Sequence, residues 1–135
     1  MIPGWVKEYI GIPFQPGGRT RSGCDCWGLT RLVLAERFGV QLPSFAEEYT
    51  DPHDWQVVSQ LISTHIPTWC PIAGTPQEGD VALFRILNEP AHVGVIVAPG
   101  FMLHVSRGTD SNVERYTSPT WQPRLLGFFA SPEGV

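Results

Sequence analysis

Three side chains of this 135-residue chain could together carry nucleophilic chemistry: Cys26, His92 and His104. Cys26 stands in Gly23-Cys-Asp-Cys-Trp-Gly-Leu29, directly ahead of a helical pattern. A cysteine in the first turn of a buried helix meets unpaired backbone N–H groups and the positive end of the helix dipole, which favour negative charge. That placement predicts a lowered thiol pKa and a larger fraction of nucleophilic thiolate. The same N–H groups can hold an oxyanion on an attacked carbonyl. An unpaired cysteine is by itself most often a small buried hydrophobe. The nucleophile reading therefore needs a base, and a group to orient that base.

His92 and His104 can supply both. If their two segments form a hairpin through Ala98-Pro99-Gly100 with Val97 opposite Phe101, Gly94 lies opposite His104 and His92 opposite Ser106. The histidines then become diagonal neighbours on one face, about 7–8 Å apart at the backbone and within reach of each other. Gly94 would leave open space between them. A register one residue different puts them on opposite faces, and the turn chemistry of Pro99-Gly100 suits either arrangement.

The elements that must position these groups follow from the pattern. Residues 26–38 read as a helix apolar around much of its circumference, and hence buried, with Asp25 as N-cap and Gly39 as terminator. Pro3 to Ile10 predicts a short first helix with Trp5, Tyr9 and Ile10 on one side. A second helix is expected from Pro52 to about Ile66, capped by Asp51 and stopped by Pro67, with Trp55, Val58, Leu61 and Ile62 sharing a face. After Gly79 the pattern turns to strands at 80–86, 92–97, 101–106, 112–116 and 125–130, which reads as an antiparallel meander. Helices first and strands later predict one α+β domain over residues 1–135.

Other reactive residues receive quieter roles. Cys24, Cys26, His92 and His104 are all zinc-type ligands, but Cys-x-Cys lacks the usual spacing and no second pair follows, so no metal site is expected. Cys70 reads as a buried or loop thiol. His53 and His65 fall on or beside the second helix, and Trp5, Trp55, Trp69 and Trp121 read as packing residues, one of which could line a cleft. Arg19 and Arg21 read as a solvated loop, with recognition of an anion as the sharper alternative. The stretch from Pro43 to Pro76 reads as a surface helix packed on the domain, with docking as the alternative. With 42% hydrophobic and 16% charged residues the chain has the composition of a folded protein. A net charge of −4 argues against a nucleic-acid partner. No signal-peptide pattern or membrane-spanning run is present, so synthesis in the cytoplasm is expected.

Four stretches carry a resemblance: Tyr9-Ile-Gly-Ile-Pro-Phe-Gln-Pro-Gly-Gly18, Asp25-Cys-Trp-Gly-Leu29, Gly79-Asp-Val-Ala-Leu-Phe84 and His92-Val-Gly-Val95. Over residues 5 to 107 the chain resembles the NlpC-type cell-wall peptidases, which have a papain-like fold. The Asp-Cys-Trp-Gly-Leu form, with Leu42-Pro43 after the helix, is similar to the small peptidases of phage tails and gene-transfer agents. The resemblance implies Cys26 as nucleophile, His92 as its base and His104 as the orienting group, working through a thioester acyl-enzyme without a cofactor. It implies a peptidoglycan stem peptide as substrate, commonly cut between D-glutamate and diaminopimelate. The Cys26 N–H, Asp25 and Trp27 are the candidate oxyanion and substrate residues. Tail-tip or hub proteins become candidate partners, and a virion or virus-like tail acting in the target cell's periplasm the expected location. Many family members have tyrosine at the position of Phe14 and serine at that of Trp27. Two other roles compete: a structural adaptor of a tail tip that retains the fold, and a secreted toxin-type hydrolase with an immunity partner.

Overall fold

Asp25 and Gly39 bracket the first α-helix, α1 (Cys26–Phe38), as the sequence predicts. The computed structural model describes residues 2–45 and 55–131, without the side chains of residues 55–58 and 67. The Asp25 side chain accepts from Gly28 N–H, and Gly39 closes the helix at φ 68°, a left-handed conformation that suits glycine. Trp27, Leu29, Val33 and Leu34 are all buried, which explains why the helix is apolar on several sides. Ahead of α1 lies a two-stranded ribbon, β1 (Arg19–Thr20) with β2 (Gly23–Cys24).

The first segment differs from expectation. Gly4–Tyr9 is a 3-10 helix, not an α-helix. Its period of three aligns Val6 with Tyr9, and these two are buried. Ile10 falls outside that alignment and is exposed. The second helix, α2, runs Trp55–His65, followed by a 3-10 turn at Ile66–Thr68 that contains Pro67. Asp51, Pro52 and His53, with the side chains of Trp55 and Val58, lie outside the described residues. Ile62 and Ile66 join Trp27 and Trp69 in the core, so this part of the chain is packed on the domain.

Six strands form an antiparallel sheet in the order β3-β8-β4-β5-β6-β7. They are β3 (Cys70–Ile72), β4 (Val81–Ile86), β5 (Glu89–Ala98), β6 (Phe101–His104), β7 (Asn112–Arg115) and β8 (Leu125–Ala130). The expected meander holds for β4 through β7. The last strand corrects it: β8 crosses back to pair with β4, and β3, which periodicity did not reveal, pairs outside β8. Phe128 packs with one face of the sheet and Phe129 with the other, so β8 suits an interior position covered on both sides.

Both faces of the sheet are buried. Val81, Leu83 and Val93 meet the helices, with Val95, Val97 and Leu103 continuing that face. Ala82, Phe84, Ile96 and Met102 lie on the opposite face under Tyr116 and Trp121. The architecture is α+β, as the sequence predicts.

Candidate active site

The β5–β6 register decides whether the two histidines meet. Val95 pairs with Leu103 and Ile96 with Met102, the alignment that sets Gly94 opposite His104. The turn end differs from expectation, because an irregularity at Val97 brings Ala98, rather than Val97, opposite Phe101. The histidines share a face, and His92 Nε2 lies 2.8 Å from His104 Nδ1. The space over Gly94 is not open. A Cβ there would meet Met102 Sδ at 2.9 Å and His104 Cβ at 3.3 Å, so the glycine admits the β6 side chains.

Two further residues complete this cluster. His104 Nε2 lies 2.8 Å from Glu114 Oε1, and Trp121 stacks on His92 with ring centroids 4.8 Å apart at 18°. Trp121 Nε1 also reaches Glu114 Oε2 at 3.4 Å. Glu114 was missed in the sequence, although the diagonal logic that joins the histidines applies to it. Met102 pairs with Glu114 and His104 with Asn112, which sets His104 and Glu114 diagonal on one face. Burial holds the His92 imidazole well below the usual histidine range, helped by the charges of His104 and Arg124. Burial also lowers His104, and Glu114 partly offsets it.

Cys26 approaches from the other side of the sheet. β5 outruns β6: their ladder begins at Val95–Leu103, while β5 extends back to Glu89. Over that overhang the thiol meets the strand edge at the two residues that flank His92. Sγ lies 3.8 Å from the Ala91 carbonyl oxygen, and the N–H groups of Val93 and Trp27 face the sulfur. Thus a helix packed on one face brings its first residue to the edge of the strand whose histidine lies on the other face. Among the described residues no hydrogen bond joins the thiol to His92.

The thiol corrects one expectation. Cys26 is only 7% exposed, and burial pushes its pKa up to about 12, with the Asp25 charge acting in the same direction. The Val93 and Trp27 N–H groups pull it down by less. The helix start is present, but desolvation outweighs it. Burial thus favours the uncharged form of the thiol and of both imidazoles.

The remaining expected residues are committed elsewhere. Asp25 Oδ1 takes Gly28 N–H at 2.7 Å and Arg19 Nη1 at 2.9 Å, while Oδ2 takes Gly17 N–H at 3.0 Å. It caps α1 and anchors the loop at Gly17. The Trp27 side chain is buried against Phe45, His65 and Trp69, with Nε1 donating to Pro43 O at 2.9 Å. What Trp27 presents to the site is its backbone. Gly28 is required by close approach, since a Cβ would collide with the Gly18 carbonyl. Arg19 is neither solvated nor available to an anion: it bonds Asp25, Gly18 O and Ser44 O. Arg21 pairs with Glu36 at the surface. Cys24 is buried with Sγ on Thr20 O at 3.0 Å, and its thiol is pushed up to about 11 by burial. Cys70 is exposed, contrary to a buried reading, and His65 packs among aromatic rings. Among the described residues no three His, Cys, Asp or Glu side chains gather in a metal-holding arrangement. No described helix is long and apolar enough to cross a membrane.

Residues 11–130 match the model of the NlpC/P60 family. The chain belongs to that family. Among curated proteins, this NlpC/P60 chain is 24% identical over 117 residues to a murein DD-endopeptidase/LD-carboxypeptidase, MepS, of Escherichia coli K12, covering 87% of this chain and 54% of the relative. It is 27% identical over 125 residues to a gamma-DL-glutamyl hydrolase of Bacillus subtilis strain 168, covering 90% of this chain and 27% of that one. It thus spans about half or less of these relatives' length. Among solved structures, the NlpC/P60 domain of the peptidoglycan hydrolase SagA superposes with a TM-score of 0.61 at 22% identity, covering 94% of this chain and 92% of that one. An NLP/P60 family protein of Staphylococcus aureus Mu50 superposes with a TM-score of 0.68 at 20% identity, covering 96% and 39%. These two likenesses show the fold.

Proposed function

We propose that the domain is a cysteine peptidase that hydrolyses peptides of peptidoglycan, with Cys26 as nucleophile, His92 as base and His104 as its orienting partner. The observation that carries this reading is the 2.8 Å His92–His104 pair across β5 and β6, with the Cys26 thiol held on the β5 edge at the residues either side of His92. Relatives named as a murein endopeptidase and a probable peptidoglycan endopeptidase support the substrate class.

Because thiol and imidazole start neutral, proton transfer accompanies attack. His92 Nδ1 takes the thiol proton as sulfur bonds to the peptide carbonyl carbon. The developing oxyanion is received by the Cys26 N–H, which has no intrahelical acceptor at the first helical position. His92 then gives that proton to the leaving amine, and a thioester remains. Water, deprotonated by His92, cleaves the thioester and returns the proton to sulfur. Substrate contact must draw thiol and imidazole together, as catalytic hydrogen bonds commonly tighten in the complex.

We assign the domain to a phage-tail or gene-transfer-agent particle, where it would open the wall locally during delivery. The Asp25-Cys-Trp-Gly-Leu29 form and Leu42-Pro43 support this placement. A second reading, a tail-tip adaptor with a retained fold, draws on the burial of Cys26. Mass spectrometry of muropeptides before and after incubation separates the two. New fragments with wild type that disappear with Cys26→Ala establish the peptidase; no fragments from folded wild type favour the adaptor.

A further inference from the structure

We propose that Glu114 is a positioning residue that sets the tautomers of both histidines, so that His92 keeps a bare Nδ1 as the nitrogen able to accept the Cys26 thiol proton. This rests on the peptidase reading and adds a fourth member to its site. A carboxylate only accepts hydrogen bonds, so His104 Nε2 must carry the hydrogen across the 2.8 Å contact to Glu114 Oε1. A neutral imidazole has a single N–H, which leaves His104 Nδ1 as an acceptor. The 2.8 Å contact to His92 then requires His92 Nε2 to donate. His92 Nδ1 is left without a hydrogen, ready to receive the thiol proton.

The surroundings keep this chain of assignments in place. Glu114 is itself held by Trp121 Nε1–H at 3.4 Å, and the same indole covers His92. The charged groups facing the pair are Glu114 from β7 and Arg124 from the segment ahead of β8. Arg124 opposes a charge on His92, whereas Glu114 favours one on His104. When His92 takes the thiol proton, its new charge faces the His104 acceptor, with the carboxylate beyond. No proton need leave His104 for this to work.

The test is long-range proton–nitrogen NMR of the imidazoles in the free protein at neutral pH, which needs no substrate. In wild type both rings should be in the Nε2–H form. In Glu114→Ala, His104 should populate both tautomers and His92 should gain Nδ1–H. The Glu114 side chain is 42% exposed, so its removal spares the core. Wild-type His92 protonated at Nδ1, or tautomers unchanged in the variant, would overturn the proposal. If the alanine variant fails to fold, Glu114→Gln decides: loss of the charge should move the His104 titration midpoint downward, and an unmoved midpoint overturns the assignment. On a cleaved muropeptide, Glu114→Ala should lower kcat by roughly 10- to 100-fold with KM unchanged. Wild type that cleaves nothing yet shows the expected tautomers would sink the peptidase reading and leave the tautomer assignment standing.

Discussion

The cysteine end and the histidine end of the site are built from different materials. Around the Cys26 thiol the polar contacts are backbone: the Ala91 carbonyl and the N–H groups of Val93 and Trp27, placed by a helix start and a strand overhang. Around His92 the contacts are side chains: His104 from β6 and Trp121 from the loop ahead of β8, with Glu114 from β7 behind His104. Backbone placement is rigid, and it ties the position of the thiol to the stability of the fold. Side-chain placement can be changed residue by residue while the sheet stays intact. Stability and activity should therefore be lost together at one end and separately at the other.

The largest expected effect tests the histidine end. His92→Gln should lower hydrolysis by about 10^3-fold or more while the circular-dichroism spectrum stays native, as seen when a general base is removed. Activity near wild type would mean that another group serves as base. At the cysteine end, Arg19→Met should destabilise by roughly 2–3 kcal/mol, because it removes the 2.9 Å guanidinium partner of the buried Asp25 carboxylate and leaves it the backbone donors of Gly28 and Gly17. Urea denaturation should show that loss, accompanied by lower activity. If Arg19→Met and Glu114→Ala lose equal stability, the contrast between the two ends fails.

The smallest effect concerns the thiol alone. Titrated by absorbance at 240 nm against Cys26→Ala, the free protein should show the Cys26 thiolate only as pH approaches about 12. The unfolded thiol ionises near its ordinary value of 9.0 and the folded one near 12. The Cys26 contribution to stability is thus fully present below about pH 9 and declines as pH rises toward 12. A thiolate signal at neutral pH would restore the lowered thiol pKa that the helix start alone predicts.

Much of the frame was legible from local chemistry. The Asp25 cap, the Gly39 terminator and the buried character of α1 each follow from residues adjacent in sequence. The shared face of His92 and His104 follows from strand parity once the register is chosen. Glu114 obeys the same parity, but a lone carboxylate in a strand carries no distinguishing mark until a histidine is found beside it. Trp121 could not be chosen from among the tryptophans, because its stacking depends on how the chain returns from β7 to β8.

What the sequence determined by itself was therefore a set of candidate groups and the local elements that carry them. Caps, turns and alternation act over a few residues and can be read there. Tertiary structure alone decided three things: that β8 inserts beside β4, that the thiol sits on the open edge of β5, and that burial turns its pKa upward. Each depends on what surrounds a group once distant segments have packed, and desolvation is set by that whole environment. Near-neighbour spacing placed the cysteine at a helix start; the burial that raises its pKa comes from the fold around it.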